Sequence, residues 1–167
     1  MSPSYSALSP VSVAIFTALN VAAVTDLAPG GVWDVLPQNT SYPSVLFEVS
    51  EPRQLGGFGT KPGAGQLPEI DLRVHVFSQQ QNLSQAQTLI ETVLQLLADP
   101  PTVIGYGSWA IFHDGTIDLG DQIVANITVH ELVALFRLYV EENALLFGSA
   151  FNPDAFARVA FARMRVA

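Results

Sequence analysis

The stretch from Pro68 to Asp99 constrains the fold most, because two hydrophobic periods meet inside it. Ile70, Leu72, Val74 and Val76 alternate with Asp71, Arg73, His75 and Phe77. A period of two sends successive side chains to opposite faces, so this is a half-buried strand. At Ser84 the period changes. Ala86, Leu89, Ile90, Val93, Leu94 and Leu97 recur at steps of three and four, one apolar stripe along a helix. Ser84 and Gln87 have the spacing of a capping box, in which each side chain satisfies an orphan backbone N–H. Asp99-Pro100-Pro101 ends the helix, because proline lacks the N–H and restricts the residue before it. Helix must pack on sheet, and the rest of the chain has to supply the other strands.

Upstream, residues 1–8 read as a short polar arm, flexible until it meets a partner. Ser9-Pro10 is a helix start, with Ser9 as N-cap and Pro10 at the first helical position. Val11, Ile15, Ala18, Leu19 and Ala22 form a stripe, and the helix is expected to fade between Val24 and Asp26. Val13 and Phe16 lie off the stripe, so the helix is apolar over more than one face. Its second side is expected to meet either its own sheet or a neighbouring chain. Val32 to Leu36 is a short extended piece. Pro43 to Ser50 is a strand with Val45, Phe47 and Val49 on one face.

Downstream, Ser108 to His113 reads as a strand and Asp114-Gly115 as a hairpin turn. Ile127 to Val140 is rich in β-branched and aromatic residues, which favours a strand with a bulge near Glu131. The domain thus runs over residues 9–142, and residues 143–167 are an extension. Asn152-Pro153 starts a short helix there, with Phe156, Val159, Ala160 and Met164 on one stripe and Arg158, Arg163 and Arg165 beside it. That helix docks either on a neighbouring subunit or on its own domain. The fold class expected is α+β, a mostly antiparallel sheet of four to five strands packed by two helices.

Charged residues make up 13% of the chain and hydrophobic residues 49%, against the ~25% charge usual in a soluble domain. Either the core is large for a chain of this size, or part of the surface is buried against other chains. The second is favoured, since obligate interfaces resemble a core cut in half. A net charge of −8 argues against general nucleic-acid binding, which needs a basic face. There is no cysteine, hence no disulfide framework or thiolate chemistry. The first residues lack the basic start of a signal peptide, and no uninterrupted apolar run reaches the ~18 residues of a membrane span. Asn39, Asn82 and Asn126 stand in N-x-S/T triplets, read as chance in the absence of a secretion signal.

No catalytic arrangement is visible. His75, His113 and His130 have no metal-ligand spacing, and His75 on the polar strand face reads as structural. Asp114, Asp118 and Asp121 lack the alternation and closing glutamate of a calcium loop, and read as a solvated acidic hairpin. Gly56-Gly57-Phe58-Gly59 lacks the lysine and hydroxyl of a phosphate loop, since Lys61 is followed by Pro62. No cofactor or metal is implied, and a non-enzyme is expected. The Gly-rich segment Glu51 to Gln66 exceeds a hairpin connection and carries Arg53, Phe58 and Lys61, candidates for contact with another chain. Phe156, Arg158 and Arg163 are the matching candidates in the extension.

Between Ser9 and Glu142 the order of elements resembles the tail-terminator or tail-completion proteins of long-tailed bacteriophages. The resemblance rests on the N-terminal helix, on "VWDVLPQNTSYPSVLFEVSE" from Val32 to Glu51, and on the loop with Thr60 and Lys61. It rests further on "EIDLRVHVFS" from Glu69 to Ser78 with the helix after it, and on "VALFRLYVEE" from Val133 to Glu142. Residues 143–167 depart from that compact pattern. The resemblance implies a homo-oligomeric ring of six copies that stops tail-tube growth and joins the tube to the head–neck connector. It places the protein in the virion at the tail–neck junction, after assembly in the host cytoplasm. DNA would pass an acidic lumen without specific binding, and no membrane is involved. Two alternatives stand beside it. One is another ring protein of the neck or tube, and a tube protein usually brings a long hairpin arm between subunits. The other is a small-ligand-binding or enzymatic α+β domain, for which the sequence names no polar pocket group.

Overall fold

The computed structural model describes residues 5–50, 69–79, 83–103, 106–124 and 126–142. In chain order these form α1 (Tyr5–Leu19), α2 (Ala22–Thr25), β1 (Val32–Trp33), β2 (Ser44–Val49), β3 (Glu69–Ser78), α3 (Ser84–Leu97), β4 (Tyr106–Val124) and β5 (Ile127–Glu142). The fold class is α+β, as expected. The sheet order is β1-β2-β3-β5-β4. Only the β1–β2 pair is parallel, and the other three pairs are antiparallel.

The alternating stretch becomes the spine. β3 lies between β2 and β5, with Val76 opposite Val45 on one side and Leu132 on the other. Ile70, Leu72, Val74 and Val76 are fully buried. The same face continues through Val45 and Phe47 of β2 and Leu132, Ala134, Phe136 and Leu138 of β5. The helices cover it: α3 packs on β3 and β5, and α1 on β1, β2 and α3. Ala86, Leu89, Ile90, Val93 and Leu97 point α3's stripe into this layer. Each large side chain so buried contributes about 1.5–3 kcal/mol. The opposite sheet face carries Glu48, Arg73, His75, Glu131 and Arg137.

Several local expectations are corrected. α1 starts at Tyr5 rather than Ser9, so Pro10 lies inside the helix and donates no bond to the turn before it. The single helix expected to reach Val24 breaks at Val21, whose backbone is extended (φ −117°, ψ 159°), and α2 is a separate turn. Ala22, expected on the buried stripe, is exposed as a result. Val11, Ile15 and Leu19 do form the buried stripe, whereas Val13 and Phe16 face outward. α3 has Leu83 at its cap position, accepting from the Gln87 N–H at 2.8 Å, so Ser84 already lies within the first turn.

The largest correction concerns Asp114-Gly115. It is not a turn: β4 runs straight through it. The chain reverses between Val124 and Ile127, where Asn126 adopts φ 66°, the left-handed region that asparagine tolerates. Gly115 and Gly120 instead mark register shifts within β4, at His113/Gly115 and Asp118/Gly120. The bulge expected near Glu131 exists, but on the partner strand: Gly120 is the residue opposite Glu131.

Candidate interaction surface

β4 and β5 make one long antiparallel hairpin at the edge of the sheet. Its pairing continues past the end of β3, since Ser78 meets His130 while Val124 still meets Ile127. The bulges decide where its polar side chains point. Asp118 and Asp121 are three apart and would face opposite sides of a regular strand. The extra residue, Leu119, turns both toward His130. Asp121 Oδ1 lies 2.8 Å from His130 Nδ1, a hydrogen bond. Asp118 Oδ1 lies 2.9 Å from His130 Nε2, close enough for attraction but out of line for a hydrogen bond. That oxygen accepts the Gly120 N–H at 2.8 Å, and Gly120 takes φ 75° to present it.

A second cluster lies on the opposite face. His75 Nδ1 is 2.6 Å from Oε1 of the buried Glu131, whose Oε2 accepts from Gln122 Nε2. His75 thus ties β3 to β5. Nearer the other end, Arg137 forms a bidentate pair with Asp114, through Nε to Oδ2 and Nη2 to Oδ1 at 2.7 Å. Tyr139 donates its hydroxyl to Glu69 at 2.7 Å. Hydrogen bonding to Arg137 holds the Asp114 carboxyl below its ordinary value, and Asp114 in turn raises Arg137 further. Donation to Glu69 raises Tyr139.

The sign of the Asp114 shift sets a pH dependence. Its carboxyl is more acidic folded than unfolded, so the stabilisation is present above the ordinary value of 3.8. It is lost as pH falls through the lower folded value. Asp114→Asn is therefore expected to lower the urea midpoint modestly at neutral pH, and the two proteins to converge in acid. A gap that persists undiminished at low pH would assign the effect to packing. Because the pair is half exposed, the neutral-pH gap also shrinks with salt.

These contacts join neighbouring strands of the sheet: His75 and Tyr139 link β3 and β5, and His130 and Arg137 link β5 and β4. Among the described residues no group of three or more His, Asp or Glu side chains is placed to hold a metal. Among them, too, no helix is long and apolar enough to cross a membrane. The sequence-derived contact candidates Arg53, Phe58, Lys61, Phe156, Arg158 and Arg163 all lie outside the described residues.

What the structure adds is an apolar edge. Phe112, Ile117, Leu119 and Ile123 of β4 are exposed, Ile123 by 80%. At the other end of the sheet, Trp33 and Val35 are exposed, Val35 by 74%. The Trp33 indole is held by its Nε1–H donating to the Gly30 carbonyl at 2.7 Å. Reading Asp114-Gly115 as a turn hides the β4 row, because it cuts the strand in two. The signal that finds it is the apolar series Phe112, Ile117, Leu119 and Ile123 with no lysine, arginine or glutamate between Tyr106 and Val124.

Comparison with known proteins bears on this arrangement. No curated protein matches the chain at the sequence level. Its fold is similar to that of a chain from the "Virion of native gene transfer agent (GTA) particle", with TM-score 0.55 and 15% identity. The likeness covers 84% of this chain and 99% of that one. The family model of the tail completion protein gp17 matches residues 13–129, well over half of the sequence. The chain therefore belongs to the phage tail completion protein gp17 family and is a structural protein of the tail.

Proposed function

We propose that copies of this chain close into a ring of six that caps the tail tube, ends its growth and joins it to the head–neck connector. The observation that carries this reading is the family match across residues 13–129. The composition supports it. A chain with 13% charged residues and exposed apolar side chains at both ends of its sheet has surface suited to burial against other copies. The mechanism is geometric: one ring face matches the last ring of the tube, and the other matches the connector instead of another tube ring. With a net charge of −8, an acidic lumen would repel DNA and let it slide without sticking. The protein then resides in the virion at the tail–neck junction, is assembled in the host cytoplasm, and needs no catalyst or cofactor.

The length of the β4–β5 hairpin favours a second reading, a tube-ring protein that extends its sheet from subunit to subunit. Native mass measurement and negative-stain imaging over a range of concentration separate the two. Discrete rings, or monomers that ring on added tail tubes and stop their elongation, are expected of a terminator. Long tubes from the purified protein alone would assign it to the tube. A monomer indifferent to tubes would overturn both.

A further inference from the structure

The two ends of the sheet are unlike each other, and that difference carries an interface. Among the described residues β4 pairs on one side only, with β5, so its outer backbone groups are an open edge. Soluble proteins guard such an edge with charge. β4 has three carboxylates, and all three are tied back to β5: Asp114 to Arg137, and Asp118 and Asp121 to His130. Asp118 and Asp121 stay partly exposed even so, and alongside them and the polar His113, Thr116 and Gln122 the exposed positions of β4 include four large apolar side chains, Phe112, Ile117, Leu119 and Ile123. By register, Phe112 and Ile117 lie on the face away from the helices and Ile123 on the helix side. The apolar surface thus wraps around the edge and suits a partner that approaches it edge-on.

The bulges limit what that partner is. They divide β4 into short regular runs, Trp109–His113, Gly115–Asp118 and Gly120–Val124. A run this short seats a short strand and resists extended, fibre-like pairing. The opposite end of the same sheet offers one: β1 is the two residues Val32–Trp33, with the exposed Val35 just beyond it. An edge that paired with itself would close a dimer, whereas joining unlike edges head to tail generates a ring when the rotation between copies closes and an open filament when it does not.

We propose that β4 of one copy seats against the β1 edge, Val32 to Val35, of the next copy, and that this heterologous seam closes the ring. The inference rests on the ring reading above, and the test separates the two. The chain contains no cysteine, so thiols can be placed at will. Ile117→Cys and Val35→Cys both change exposed positions and leave the core intact. Under ring-forming conditions, a short bis-maleimide is expected to convert the double variant into a ladder of covalent oligomers. Each single variant should remain monomeric on a denaturing gel. Covalent dimers from Ile117→Cys alone would overturn the proposal in favour of edge self-pairing. Native rings without a ladder would overturn the seam and leave the ring standing. The absence of rings even with tail tubes present would remove both.

Discussion

Leu72→Ala is expected to lower the unfolding free energy by about 2–5 kcal/mol, the usual cost of truncating a large aliphatic side chain in a packed core. Leu72 is fully buried at the middle of β3, opposite Val49 of β2 and Phe136 of β5. With neighbours on both strands held by ladder hydrogen bonds, the site has little freedom to collapse into the space left. For a chain of this size the loss corresponds to roughly 5–15 °C in Tm. Urea unfolding and a thermal scan read it directly, and a loss under about 1 kcal/mol would mean that the helix layer repacks over the cavity.

The second large effect comes from adding atoms. At Gly30 a Cβ would lie 1.9 Å from the Ser41 carbonyl oxygen and 2.6 Å from that of Pro43. Both are backbone atoms, so no side chain can rotate away. The approach is close because the Gly30 N–H donates to the Pro43 carbonyl at 2.9 Å and the Val45 N–H to the Gly31 carbonyl at 3.0 Å. Those two bonds strap β1 alongside β2. Gly30→Ala is expected to cost about 1–3 kcal/mol by overpacking, and to loosen the strap that positions Trp33. Equilibrium unfolding followed by tryptophan emission checks it. A variant as stable as the parent would show that the segment around Ser41 yields freely.

These two sites differ in how far they can be read from sequence. Leu72 is plain, because alternation over eight residues needs no knowledge of neighbours. The α3 stripe is plain for the same reason. Gly30 is not: Pro29-Gly30-Gly31 reads as a loop, and only the folded chain shows the carbonyl that excludes a methyl group. Asp114-Gly115 fails in a third way. A hairpin turn and a bulge both ask for glycine and a short acidic side chain, so the local chemistry cannot tell them apart. The reversal itself sits at Asn126, in a stretch with no glycine to mark it. The break between α1 and α2 is hidden too, since Asn20-Val21 contains neither glycine nor proline. As for the contact surface, the sequence points to glycine- and arginine-rich segments outside the described residues. The exposed row on β4 emerges only when the strand is seen to be continuous.

The sheet order also has a consequence for synthesis. β4 and β5 are joined by a tight reversal and meet as soon as both exist. β3 is different. Its partners on β5 lie far along the chain, as His75 and Glu131 show, 56 residues apart. While the polypeptide emerges from the ribosome, β3 has β2 on one side and nothing yet on the other. The apolar stretch from Leu132 to Leu138 is made only after β3, α3 and β4, and until it arrives the central strand stays half-paired. Such non-local closure slows folding and prolongs the exposure of sticky strand edges. Growing chains that sit close together on one message would carry the same open edge at the same moment.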